Sequence, residues 1–232
     1  NLNEALQSAG NISIQSIVAV HSIDLTSLFL SRIQESKSVH ELQKYLTALS
    51  FVLTSLKKEE ENGNCPVSLT NSTIKKIPNL MKVMCSVFST DDKSIFQAAN
   101  KCMNELGHIT EVKHVAVKWL LNTLSCNSIE KNATIAISSA GQCTSILRCL
   151  AALLHPLNIS SNDVGYQELE QTMIILAGRD VVAYLYESQS ASFAALSIVR
   201  NIVEYVVDNS SGPEKLIKFQ SIIQRLILCS SY

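Results

Sequence analysis

The feature that most constrains the fold is an apolar helical stripe that recurs about every fifty residues. Each copy has apolar residues at positions i, i+3 and i+7, which share one face of an α-helix. The four copies start 53, 48 and 49 residues apart. A unit of two or three helices cannot bury such faces alone, so neighbouring units are predicted to stack. The copies are Leu46, Leu49 and Leu53; Ala99, Cys102 and Leu106; Leu147, Leu150 and Leu154; and Leu196, Val199 and Val203.

The composition favours helices over strands. The 232 residues include only 7 Gly and 4 Pro, whereas an all-β domain needs turn residues about every 8–12 positions. Apolar residues make up 47% of the chain and charged residues 17%, which excludes a disordered chain. We therefore predict an all-α fold of about ten helices.

Capping and loop signals divide the chain into these helices. Ser38 and Glu41 have the spacing of a capping box. Asp91 and Asp92 are predicted to cap a helix whose C′ residue is Gly107.

Other signals mark loops and shorter helices. Loops are predicted at 61–66 and 156–162, which are rich in Asn, Gly, Ser and Pro. A helix is predicted over 73–89, with Pro78 restricting its first turns. Asp180 is predicted to cap a short helix.

Three segments resemble the last helix of an armadillo unit: 97–107 (QAANKCMNELG), 145–155 (SILRCLAALLH) and 193–204 (FAALSIVRNIVE). In each, small residues come first and apolar residues follow at helical spacing, and Asn201-Ile202 matches a typical ending. The chain thus resembles the armadillo/HEAT superfamily. The resemblance implies a right-handed α-solenoid with irregular repeats of roughly 45–50 residues, forming a single domain over 1–232. An irregular HEAT-like stack fits as well as true armadillo units.

Polar residues accompany the stripes at about i+1, i+5 and i+9, on a face roughly 90–140° from the core. Stacked units would align them along one groove, and the armadillo resemblance implies that Asn side chains there hold a peptide backbone. Alternatively, this face is merely solvent-exposed or covered by a neighbouring helix. The candidate partner-binding residues are Asn100, Asn104, Arg148, Ser197, Asn201 and Tyr205.

The sequence contains no recognisable catalytic motif. It has no glycine-rich phosphate loop, no HExxH, no GxSxG and no CxxC. Cys102, His108 and His114 are spaced six residues apart, which puts side chains on different helix faces, so we predict no metal site. Cys65, in a predicted loop, is a candidate for oxidation. We predict a non-enzymatic protein without a cofactor.

The charge balance argues against nucleic acid and membranes as partners. The formal net charge is −1, so no global field attracts phosphates. The sequence contains no run of about 18 apolar residues, so we predict no membrane span. Lys75, Lys76 and Lys82 form a small basic cluster, which Lys113 and Lys118 would extend, and we interpret it as a solvated face.

Cysteine usage predicts an intracellular protein, cytoplasmic or nuclear. The seven Cys lie mostly inside apolar helical patterns, as free thiols do in a reducing compartment. Five Asn-x-Ser/Thr matches would suit a secreted glycoprotein, but Ser and Asn are abundant, so we interpret the matches as chance. The chain begins at Asn1, and we expect it to be a piece of a longer protein.

These observations predict a protein–protein interaction scaffold, a subunit of a larger complex that docks a peptide or helix of a protein partner, or a second copy of itself. This function follows from the resemblance of the fold. Two alternatives stay open. A HEAT-like scaffold that contacts nucleic acid would bind with a steep salt dependence. A compact all-α enzyme or ligand carrier would need a deep pocket with convergent polar groups.

Overall fold

The computed structural model describes residues 14–62, 67–125, 139–155 and 166–209, and six single positions between 217 and 228. These residues form helices joined by short turns, and they include no strand. The all-α prediction is therefore confirmed for this part of the chain. The helices are α1 (Ile14–Val20), α2 (Ser22–Glu35), α3 (Val39–Glu61), α4 (Val67–Phe88), α5 (Lys93–Gly107), α6 (Thr110–Leu124), α7 (Ala140–Leu153), α8 (Tyr166–Leu176), α9 (Arg179–Glu187) and α10 (Gln189–Asn209).

The packing groups the chain into two compact units, Asn1–Val115 and Ala116–Tyr232. Each unit is described by itself, and the arrangement of the chain as a single domain stays a prediction. Of the predicted loop at 61–66, Glu61 ends α3 and Asn62 forms a turn, while the remainder lies outside the described residues. The predicted loop at 156–162 also lies outside them.

The first unit is organised around the long helix α3. This helix packs most extensively on α5 and also contacts α1 and α2, while α2 packs on α4 and α4 on α5. All six residues of the first two apolar stripes lie on these two helices and are buried, and Cys102 contacts Leu46 where α5 packs on α3. Neither helix could shield this face from water by itself, so the two are stable because they are stacked.

A hydrogen bond between side chain and backbone joins α3 to α5. The thiol of Cys102 donates to the carbonyl oxygen of Leu46, with 2.9 Å between the sulfur and the oxygen. Both residues belong to apolar stripes, and both are fully buried. The thiol is a weak donor, so the bond adds a small preference to the register that the packing of α5 on α3 sets.

The second unit is organised around the contact between α7 and α10. These two helices share the most extensive packing in the unit, and α9 contacts both of them as well as α8. The third stripe, Leu147, Leu150 and Leu154, is buried as predicted. Segment 145–155, which resembles the last helix of an armadillo unit, thus supplies the buried face of α7.

The fourth stripe is confirmed only at Val199, which is buried as predicted. Its other two residues, Leu196 and Val203, are only half-buried. The residues one position earlier, Ala195, Ile198 and Ile202, are each at most 1% exposed. The sequence of α10 offers two overlapping apolar stripes one residue apart. Packing on α7 selects the one that places Ala195 and the two isoleucines inward, a choice that periodicity alone could not make.

Several predicted caps are confirmed by hydrogen bonds. The hydroxyl of Ser38 accepts a bond from the amide of Glu41 (3.2 Å), the side-chain half of the predicted capping box. The carboxylate of Asp92 accepts bonds from the amides of Ser94 (2.8 Å) and Ile95 (3.0 Å), as an N-cap does. These bonds satisfy amides that have no partner within the helix.

Other predicted helix ends are wrong by a few residues. Gly107 is the last residue of α5, and His108, with right-handed backbone angles, follows as the C-cap. α9 begins at Arg179 with Gly178 as its N-cap, so Asp180 lies inside the first turn. α4 begins at Val67, which places Pro78 in the helix interior rather than near the start.

We predict that two Gly→Ala substitutions have opposite effects on stability. At Gly178 a Cβ would lie 2.9 Å from the carbonyl oxygen of Ile175, which is too close, so Gly178→Ala should cost about 1–3 kcal/mol. At Gly141, on the exposed side of α7, a Cβ meets nothing nearer than 3.8 Å. Gly141→Ala should therefore stabilise the helix by up to about 1 kcal/mol. Urea denaturation followed by circular dichroism measures both, and equal shifts of one sign would contradict the prediction.

Candidate functional site

The six predicted partner-binding residues lie on three helices in the two units. Asn100 and Asn104 lie on α5 in the first unit. In the second unit, Arg148 lies on α7 and the remaining three lie on α10. The predicted row of six polar residues, here called the polar ladder, thus divides into an α5 part and an α7–α10 part. Its continuity from one unit to the other stays a prediction.

The α5 part is a pair of half-buried asparagines one helical turn apart. Asn100 and Asn104 are spaced i, i+4 and lie on adjoining turns of one helix face. The side-chain oxygen Oδ1 of Asn104 is buried and has no hydrogen-bond partner within the described part of the chain. An unpaired buried acceptor costs about 1–3 kcal/mol. A donor such as a peptide N–H would remove that cost.

The α10 part includes an asparagine that holds two helices together. The side-chain Nδ2 of Asn201 donates to the carbonyl oxygen of Ala151 on α7 (3.1 Å). This bond joins the same two helices that share the largest contact in the unit. Asn201 therefore has a structural role in the fold, as expected for a polar face covered by a neighbouring helix.

The other three ladder residues differ in exposure. Ser197 is exposed on α10, whereas Tyr205 and, on α7, Arg148 are half-buried. Both half-buried side chains take part in polar or electrostatic contacts within the structure. Ser197 is therefore the most open of the three to a partner.

The Asn201 and Cys102 bonds repeat one arrangement in the two units. In each, a side chain of the later stripe helix donates to a main-chain carbonyl of the earlier one. Burial raises the pKa of the Cys102 thiol to about 12, so the thiol stays protonated and can donate. Burial likewise raises the pKa of Cys143 to about 12, which makes both cysteines poor nucleophiles.

The residues weighed for metal binding do not come together. Within the described ranges, no three His, Cys, Asp or Glu side chains converge on a point where a metal ion would fit. Cys102 is buried against Leu46, and His114 is half-buried. Cys65, considered for oxidation, lies outside the described residues.

Only four of the five lysines assigned to the predicted basic cluster are exposed. Lys75, Lys76 and Lys82 are exposed on α4, and Lys118 is exposed on α6. Lys113 is only 1% exposed, so it cannot belong to a solvated basic face, and that part of the prediction is wrong. It lies in the first turns of α6.

One described helix meets a length and composition criterion for crossing a membrane. Residues Gln189–Val207 of α10 have a mean hydropathy of 1.3, and 44% of them are buried inside the structure. The pair α1 and α2 also meets the criterion, but the two helices are bent by 78° at their junction. Buried core helices of soluble proteins meet the same criterion, which therefore does not distinguish them from membrane-spanning helices.

No protein-family model, curated protein or solved structure matches the chain. The candidate site is therefore defined by its own geometry.

We predict that Asn201→Ala destabilises the second unit. The substitution removes the donor to Ala151, and a typical hydrogen bond contributes about 1 kcal/mol to stability. Ser197→Ala, at an exposed position of the same helix, is the control and should change stability by no more than about 0.5 kcal/mol. Urea denaturation of both variants measures the difference. Equal stability of the two variants would show that the bond contributes nothing.

His108 lies in an environment that disfavours its charged form. Burial is the main cause that lowers its pKa, and the positive charges of Lys57 and Lys113 lower it further. The carboxylates of Glu105 and Glu61 act in the opposite direction but do not outweigh burial. The folded protein thus binds a proton at His108 less readily than the unfolded chain does.

We predict that stability falls as the pH drops below the ordinary histidine value of 6.5. The unfolded state takes up the proton first, so the contribution of His108 is fully present above pH 6.5 and is lost as the pH falls through the lower, folded-state pKa. Urea midpoints measured from about pH 8 to about pH 5.5 should decrease, and less so in His108→Gln. A wild-type midpoint that rises on acidification would contradict the prediction.

Proposed function

We propose that the chain is a non-enzymatic α-superhelical scaffold that docks a peptide or helix of a protein partner within a larger complex. In this proposal the helices of each unit form a right-handed solenoid of armadillo/HEAT type. A stack of helices offers a long and rigid surface, so a flexible partner segment can bind along it at little ordering cost to the scaffold.

The contacts within each unit support the superhelical part of the proposal. In the first unit α1, α3 and α5 pack one on the next, and α2 packs on α4, which is the contact order of two helical layers. In the second unit the long helices α7 and α10 stack with the shorter α8 and α9 between them in sequence. A long helix following two shorter ones is the order of an armadillo unit.

The observation that carries the docking part is the unpaired acceptor of Asn104. This buried oxygen lies one turn from a second half-buried amide, Asn100, on a helix whose apolar face is already occupied by α3. A buried polar atom without a partner calls for an explanation, because most such atoms are paired. Because this oxygen is covered in the free chain, the Asn104 side chain must turn outward before a partner's main-chain N–H can reach it, and the new bond then removes the cost of the unpaired acceptor.

We predict that Asn100→Ala with Asn104→Ala weakens partner binding about tenfold without destabilising the fold. Since Oδ1 of Asn104 has no partner to lose, its removal should leave stability unchanged or raise it. Capture from cell extract with quantitative mass spectrometry should show a partner whose recovery falls about tenfold with the double variant, as expected when about 1.4 kcal/mol is lost.

The matched control is Gln43→Ala with Thr47→Ala. These two exposed residues have the same i, i+4 spacing and lie in the same unit but on α3, so recovery of the partner should not change. Equal recovery with both double variants, while circular dichroism shows both folded, would refute the α5 surface. A clear loss of stability in the asparagine variant would show instead that the two residues serve the fold.

A further inference from the structure

The helix α4 presents a cationic face that no other described helix resembles. Lys75, Lys76 and Lys82 are its only charged residues, so its 22 residues carry three positive charges and no negative charge. All three side chains are exposed. The charge of this helix contrasts with the net charge of −1 for the whole chain.

The three lysines of α4 are not neutralised within the described part of the chain, where none of them forms an ion pair. Other cations are paired in their own helices: Arg32 with Glu35 (3.4 Å) and Arg200 with Glu204 (2.7 Å). The first of these pairs lies on α2, which packs on α4, so its carboxylate is already occupied by its own arginine.

We propose that this face of α4 docks an acidic segment of a protein partner. Lys75 and Lys82 lie seven residues apart, which separates their Cα atoms by about 10.5 Å along the helix axis. That distance is about three residues of an extended peptide or seven residues of a helix. Carboxylates at either spacing can face both lysines at once, and Lys76 and Asn79 provide further donors between them.

The surroundings of the lysines favour a protein over nucleic acid or a membrane. The exposed residues between positions 75 and 86 are Lys, Pro, Asn and Ser, with no aromatic ring on which a base could stack. No large apolar side chain is exposed among the described residues of α4, so the face has nothing to insert into a lipid surface. The inference rests on the proposed docking function but uses a surface distinct from Asn100 and Asn104.

The test measures binding of a dye-labelled glutamate-rich peptide by fluorescence anisotropy, at low and at physiological salt. The variant combines Lys75→Glu, Lys76→Glu and Lys82→Glu. The control combines Lys37→Glu, Lys44→Glu and Lys58→Glu, which are also exposed, lie in the same unit and change the net charge by the same amount. Circular dichroism verifies that both are folded, and the corresponding Lys→Gln variants replace any that is not.

We expect the α4 variant to weaken peptide binding by about tenfold, because each exposed ion pair contributes several tenths of a kcal/mol. The control variant should bind as the wild type does. Equal weakening by both variants, or no peptide binding by the wild type, would overturn the inference in favour of a merely solvated face. Tighter binding of a labelled oligothymidine strand than of the peptide would overturn it in favour of nucleic acid.

The double variant of Asn100 and Asn104 separates this inference from the proposed function. It should bind the glutamate-rich peptide normally, since it leaves α4 intact. If it loses its captured partner while the α4 variant binds the peptide as tightly as the wild type, the lysine face is not a docking site but the scaffold function stands. If capture by the asparagine variant is unaffected but the α4 variant loses the peptide, the lysine face is a docking site and the α5 surface is not.

Discussion

The structure depends on the burial of one apolar helix face against the corresponding face of a later helix. α3 and α5 form such a pair in the first unit, and α7 and α10 form one in the second. Burying a leucine or isoleucine side chain contributes about 1.5–3 kcal/mol, whereas an isolated helix of this length is marginal in water. The helices are therefore stable only as stacked pairs, and the other elements are positioned by contact with them.

Polar groups on the stacked helices add to the register that side-chain packing sets. Apolar side chains of packed helices interdigitate closely, so sliding one stripe past the other already breaks contacts. The bonds from Cys102 to Leu46 and from Asn201 to Ala151 have defined geometry and penalise such sliding. A partner with regularly spaced groups needs a scaffold of fixed register, which connects these internal bonds to the proposed docking function.

The stacked helices also carry buried polar atoms without a partner among the described residues, namely Oδ1 of Asn104 on α5 and Oγ of Ser50 on α3. The amide of Asn201 is engaged with a neighbouring helix, while Oδ1 of Asn104 is buried and unpaired. Stability alone would favour an apolar residue at position 104, since burial without a hydrogen bond is unfavourable. The two asparagines therefore differ: one supports the stack, and the other has a side-chain oxygen that the described residues leave unpaired.

The sequence by itself determined the helical class, the first three apolar stripes and caps such as Asp92, because these follow from local periodicity and from hydrogen bonds between near neighbours. It also singled out Asn104 and Asn201 as polar residues beside the stripes. Only the tertiary structure decided that Asn201 bonds to α7, that Lys113 is buried, and that α10 packs one residue out of its predicted register. Each of these depends on which neighbour covers a helix face, and a periodic pattern in one helix contains no information about its neighbour.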